Sequence, residues 1–173
     1  MWVINQRHWM PSSAYTWPTT TRSLRTAAAT SARQLPAAIR LVEEFPDQRF
    51  VLDHIAKPPI GDGKPIGDGN LDPWESGLRR LAGAPNLYCK LSGMVTEARW
   101  GKWREGDFRP YLDVVFEAFG PGRLMIGSDW PVCTVSASYE SAMGIVLDYI
   151  AQLPAAEQEG ILGGNCARFY KLP

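Results

Sequence analysis

The ten residues Arg123 to Val132, RLMIGSDWPV, set a carboxylate where chemistry is usually found. The apolar run Leu124–Met125–Ile126 has β-strand composition and ends at Gly127. Ser128, Asp129 and Trp130 follow at once, and Pro131 interrupts any regular continuation. Parallel α/β folds bind ligands outside the carboxyl ends of their strands, so Asp129 is the first candidate site residue. An aspartate is ordinarily ionised at neutral pH and can accept a proton. The plainer alternative is an aspartate that only caps the next turn.

The elements that must position it recur in a regular order from Arg33 onward. Leu35, Ile39 and Val42 fall on one helical face with Pro36 in the first turn, which predicts a helix running to about Phe45. Arg49 to Asp53 reads as a short strand, and a Gly/Pro/Asp-rich loop fills Lys57 to Pro73. Asp72 can cap, and Pro73 start, a helix carrying Trp74, Leu78, Leu81 and Ala82 on one face. Asn86 to Leu91 is a second strand. Tyr111, Val114, Val115 and Ala118 mark a helix that Gly120-Pro121-Gly122 ends, and Arg123 to Ile126 is the third strand. Ala142, Ile145, Val146, Tyr149 and Ile150 mark the next helix, and Asn165 is placed to cap a short final one. Strands alternating with amphipathic helices give βαβ units and a parallel sheet. The strand cores begin near Phe50, Leu87 and Leu124, 37 residues apart each time. Eight such units would need about 300 residues to close a barrel. The 173 residues here hold three clear ones.

Bulk properties narrow the function classes. Hydrophobic content of 45% and charged content of 21% are ordinary for a globular chain. The net charge of zero hides an asymmetry: Arg7, Arg22, Arg25, Arg33 and Arg40 precede the first acidic residue, Glu43. Everything from Glu43 onward is mildly acidic, which argues against nucleic acid as a partner. Cys89, Cys133 and Cys166 are far apart and form no CxxC, so neither a disulfide framework nor a zinc site is expected, and a reducing, cytoplasmic setting fits. No apolar run approaches the length needed to span a membrane.

At the three strand ends four motifs stand together: FVLDHIAKPPI (Phe50–Ile60), NLYCKLSGMVTEARW (Asn86–Trp100), RLMIGSDWPV and the tail GGNCARFYKL (Gly163–Leu172). In this order and spacing they resemble the C-terminal half of the amidohydrolase-related family, closest to its lactonases acting on sugar lactones and pyrone dicarboxylates. The resemblance implies an α/β fold in which the three strands are the sixth to eighth of a TIM (β/α)8 barrel. It also implies that His54 is the histidine ending the sixth strand and Asp129 the eighth-strand aspartate that activates water as a general base. A neutral His54 would hydrogen-bond a substrate carbonyl or stabilise developing oxyanion charge; a satisfied strand-end histidine is the plain alternative. No cofactor is expected in this chain, although complete family members can use a divalent metal. The implied partner is a small-molecule lactone or carboxylate substrate. The family also contains decarboxylases, so carbon–carbon cleavage is a second reading, and an inactive half-barrel remnant or assembly partner a third.

Lys57, Lys90, Ser92 and Trp130 are candidate substrate-binding residues. Alternation puts Tyr88, Lys90 and Ser92 on one face of the second strand and Leu87, Cys89 and Leu91 on the other. A lysine inside a barrel binds a substrate carboxylate or pairs with a barrel acid, and both readings stand. Glu97 and Trp100 fall in the loop beyond and would line the mouth, or be solvated loop residues. Trp130 is expected to pack as a wall beside Asp129.

The family's first-strand HxH pair has no counterpart: His8 and His54 are the two histidines. Residues 1–32 read as irregular, Arg- and Ser/Thr-rich and free of acids, and residues 33–173 as the partial barrel. A transit peptide, a disordered tail and a displaced or out-of-frame start are the readings of that first segment, the last being favoured because LRTAAATS is poor strand material. The chain therefore looks truncated. Three βα units leave bare sheet edges and an inner face without its opposing strands, so marginal stability, self-association through those edges and no activity alone are expected.

Overall fold

In the computed structural model, described over residues 32–61 and 73–172, three stretches of large apolar residues become strands: β1 (Phe50–Leu52), β2 (Leu87–Leu91) and β3 (Leu124–Ile126). They form one parallel sheet in the order β1-β2-β3, and each neighbour pair is joined by a helix. α1 (Leu35–Glu44) precedes the sheet, α2 (Pro73–Ala82) links β1 to β2, and α3 (Arg109–Phe119) links β2 to β3. α4 (Tyr139–Ile150), α5 (Ala155–Glu159), a π turn at Gly160–Gly164 and α6 (Asn165–Tyr170) follow. Each strand expected from the sequence forms, one or two residues shorter at its ends. The reading of residues 1–31 and the capping role of Asp72 lie outside the described residues.

Side-chain alternation splits the sheet into two faces. Phe50, Leu52, Leu87, Cys89, Leu91 and Leu124 point to the helical layer and are buried with Leu35, Ile39 and Val42 of α1, Trp74 and Leu78 of α2, and Leu112 and Val115 of α3. The 37-residue rhythm is not a uniform register. Phe50 pairs with Leu87, but Leu124 pairs with Cys89, so β3 is set two residues further along β2. A stagger of this kind tilts strands as barrel closure requires.

The opposite, inner face was expected to be bare. It is not: Val51 and Met125 are 0% and 2% exposed, because Phe169 of α6 packs on both. Phe169 meets Tyr88 at a tilt with ring centroids 4.9 Å apart and Tyr170 edge-on at 4.8 Å, and the Arg49 guanidinium lies over its ring at 5.1 Å. The C-terminal helix thus covers one end of the inner face. Asn165, expected as a helix cap, is instead the first residue of α6, and its fully buried amide donates to the carbonyls of Pro121 and Leu124 at 2.8 and 2.6 Å. Arg123 ties the same end from the other side, donating to Phe119, at the end of α3, and to Ala84 in the turn before β2. Asn165 therefore clamps α6 to the start of β3, and Arg123 clamps the same strand end to α3 and to the turn before β2. Among the described residues, β1 and β3 each pair along one edge, with β2. No helix among them is long and apolar enough to cross a membrane.

Candidate active site

Beyond Leu52 the chain leaves the sheet through Asp53 and turns left-handed. His54, Ile55, Ala56 and Lys57 have φ of 54°, 45°, 58° and 45°. Left-handed backbone costs roughly 1–2 kcal/mol for each residue bearing a Cβ, so such a turn persists only if its surroundings hold it. Lys57 N–H donates to the His54 carbonyl at 2.8 Å, and the Trp74 indole to the Ile55 carbonyl at 2.7 Å. The Tyr111 hydroxyl donates to the Pro59 carbonyl at 3.1 Å.

The turn swings the His54 ring over the end of β2. Its Nδ1 is 2.8 Å from Ser92 Oγ, and its Nε2 is 3.6 Å from Asp129 Oδ1. Gly93 makes this approach feasible: it has φ of 66°, and a Cβ there would lie 2.7 Å from the His54 Cβ and Cγ. Burial pushes the His54 pKa down. The charges of Asp129 and Asp53 oppose that shift without reversing it, and those of Lys57 and Lys90 reinforce it. His54 is therefore neutral at pH 7 and carries one ring N–H. A carboxylate only accepts, so the proton belongs on Nε2, facing Asp129, and the Ser92 hydroxyl donates to Nδ1.

Asp129 itself has a positive φ of 58°. It does cap the next turn, but with its backbone: the carbonyl accepts from Cys133 N–H at 2.9 Å. The side chain is left for other work. Its Oδ2 is buried without a hydrogen-bond partner among the described residues.

The two lysines are already paired. Lys90 Nζ lies 2.7 Å from Asp53 Oδ1, and Lys57 Nζ lies 3.1 Å from Glu97 Oε1 and 3.4 Å from Thr96 Oγ1. Burial pulls the Lys90 pKa down, yet the hydrogen bond and charge of Asp53, with a smaller contribution from Tyr170, outweigh it and leave it raised. Of the two readings of Lys90, pairing with a barrel acid is the one seen. Ser92 is 4% exposed and engaged with His54. Trp130 does not form the expected wall: it is 57% exposed, and its backbone N–H donates to Ser128 Oγ. Trp100 is equally open, with its indole on the Thr96 carbonyl.

His54, Ser92 and Asp129 thus converge from three strand ends, with Asp53–Lys90 and Lys57–Glu97 as flanking ion pairs. Sequence reading passed over Asp53, Gly93 and Trp74. Asp53 was visible through alternation, two residues beyond inward-facing Val51. No group of three or more His, Cys, Asp or Glu among the described residues is arranged to hold a metal. His54 and Asp129 offer two donors, whereas zinc takes about four ligands, so they do not by themselves fit a resident ion.

Known proteins are similar to this chain in sequence and fold. An L-fucono-1,5-lactonase of Burkholderia multivorans is 42% identical over 146 residues, covering 82% of this chain and 49% of that protein. A second, from Burkholderia ambifaria, is 34% identical over 159 residues, covering 84% and 49%. The crystal structure of a B. multivorans amidohydrolase with bound zinc matches with a TM-score of 0.74 at 42% identity, covering 83% of this chain and 51% of that one. A putative 2-pyrone-4,6-dicarboxylic acid hydrolase from Pseudomonas putida shares the fold, with a TM-score of 0.61 at 21% identity over 84% of this chain and 50% of that one. The chain spans about half the length of the curated relatives it matches. Its three parallel βα units are the C-terminal part of a TIM (β/α)8 barrel. The amidohydrolase family model matches residues 19–172, and the chain belongs to that family.

Proposed function

We propose that these residues form part of the active site of a lactone hydrolase, with Asp129 as general base. The observation that carries this reading is the Asp129 carboxylate: one oxygen 3.6 Å from His54 Nε2, the other buried without a hydrogen-bond partner among the described residues. Asp129 removes a proton from water as the water oxygen attacks the lactone carbonyl carbon. The His54 Nε2–H, held by Ser92 at Nδ1, donates to the oxyanion that develops or steadies the Asp129 carboxylate. The tetrahedral intermediate collapses by breaking the bond to the ring oxygen, which takes the proton back from Asp129. The product is the open hydroxy acid. Proton transfer of this kind contributes roughly 10²–10⁴-fold to a rate. The similarity to L-fucono-1,5-lactonases supports a sugar lactone as the substrate class.

Among the described residues three strands supply one side of a site that eight normally enclose, so turnover requires the other strands of the barrel. The three free cysteines support a reducing, cytoplasmic location. The test follows proton release from a panel of sugar lactones in weak buffer. The chain alone is expected to be inactive. Mixed with the N-terminal half of an L-fucono-1,5-lactonase, it is expected to hydrolyse a lactone, and D129N to abolish that rate. Turnover that survives D129N overturns the assignment.

A further inference from the structure

We propose that Trp74, in the helical layer on α2, is the positioning residue for His54: its indole N–H pins the Ile55 carbonyl and so fixes the left-handed turn that aims the imidazole. Four consecutive residues bearing a Cβ, one of them the β-branched Ile55, do not take left-handed backbone by their own preference. The turn's own hydrogen bond, Lys57 N–H to the His54 carbonyl, closes its outer residues only. The Ile55 carbonyl lies inside it, on a residue that is 0% exposed, where an unmet acceptor would be costly. Trp74 meets it at 2.7 Å.

The donor is itself buried and packed on both helices, α2 and α3. Trp74 is 0% exposed and packs edge-on against Tyr111 of α3 at 5.5 Å. The Tyr111 hydroxyl reaches the Pro59 carbonyl at 3.1 Å. Residues 55 to 59 are thus tied at both ends to helices α2 and α3. A phenylalanine could fill much of the volume at position 74, but only the indole offers a donor. The aim it enforces has little slack. The His54 ring sits against Gly93 where a single Cβ would not fit, and its bond to Ser92 is 2.8 Å. If the turn relaxes toward right-handed backbone, the Cα–Cβ direction at His54 rotates and the ring leaves both contacts.

The proposal rests on His54 being a working residue of the site, but its test reads the position of the ring and not turnover, so either can fail alone. The full chain is labelled for NMR; the one other histidine is His8, and an H8Q background leaves a single set of imidazole signals. In the unaltered protein the His54 ring is expected to show a nuclear Overhauser contact to the Gly93 α-protons. W74F is expected to lose that contact and to move the ring signals toward those of a free imidazole, with far-UV circular dichroism unchanged. W103F is the control, because the Trp103 indole donates to Ser136 and lies away from the turn. It is expected to leave the His54 signals in place. Should W74F fail to fold, replacement of Trp74 by β-(3-benzothienyl)alanine keeps the ring shape, removes the N–H and decides the matter. A His54–Gly93 contact retained with unaltered shifts overturns the proposal, as does an equal change in W103F.

Discussion

His54 and Asp129 approach to 3.6 Å although they follow strands that do not touch. β2 lies between β1 and β3, and two strand spacings are about 9.5 Å. The gap is closed because both residues take positive φ beyond their strands and converge over the end of β2, where Gly93 after β2 and Gly127 after β3 present no side chain. The neutral state of His54 follows from that convergence: burial outweighs the pull of two nearby carboxylates.

Removing one of those carboxylates should be readable at the ring. D129N deletes the largest upward influence on His54 and leaves burial and two lysines to act. The His54 pKa is expected to fall further below its ordinary value, measured by NMR titration of the ring. An unchanged or raised value would mean that the Asp129 charge does not act on His54 as its 3.6 Å approach implies.

Gly93→Ala is expected to destabilise the fold and displace the imidazole together. The left-handed backbone at φ 66° costs on the order of 1–3 kcal/mol with a Cβ, and the clash with His54 adds to it. Urea denaturation gives the first quantity. Loss of the His54–Gly93 contact in NMR gives the second. Gly101 also has φ 66°, but a Cβ added there would meet nothing within 4 Å, so it separates backbone strain from steric displacement. Gly101→Ala should lower stability and leave His54 in place.

Phe169→Ala tests the cover of the inner face. Phe169 is 1% exposed, and truncating a buried Phe costs about 3–5 kcal/mol. Val51 and Met125 would then be uncovered beside the outer edges of β1 and β3, which pair with no further strand among the described residues. Size-exclusion chromatography should show the variant shifting toward larger species at concentrations where the parent chain does so less.

Stability should peak between two titrations. His54 is depressed in the folded protein, so the unfolded chain binds its proton first as pH drops below 6.5, and stability declines until the folded value is passed. Cys89 is raised by burial, so the unfolded thiol ionises first above 9.0 and stability declines with rising pH. Lys90, raised by Asp53 against its own burial, adds to the alkaline decline above 10.5. Chemical denaturation across pH should show the plateau, and Cys89→Val should flatten the start of the alkaline limb.

Much of the fold was legible in the residues themselves, because periodicity is local. Leu35, Ile39 and Val42 announce a helix, and Phe50, Leu87 and Leu124 announce strands, whatever surrounds them. The strand-end positions of His54 and Asp129 follow from the same reading, and four motifs in order pointed to the family. Tertiary structure decided what those residues do to one another. The left-handed turn at His54 lies in no local preference of His, Ile, Ala or Lys; an indole from α2 holds the Ile55 carbonyl inside it, and a hydroxyl from α3 holds the Pro59 carbonyl just beyond it. Lys57 and Lys90 were free to bind substrate or pair with acids, and only packing brought Glu97 and Asp53 within 3.1 and 2.7 Å of them. Asn165 looked like a cap in sequence and became a clamp on β3, since its partners Pro121 and Leu124 are more than forty residues away. Local sequence sets which element each residue joins. Hydrogen bonds and charges between distant elements set its chemical state.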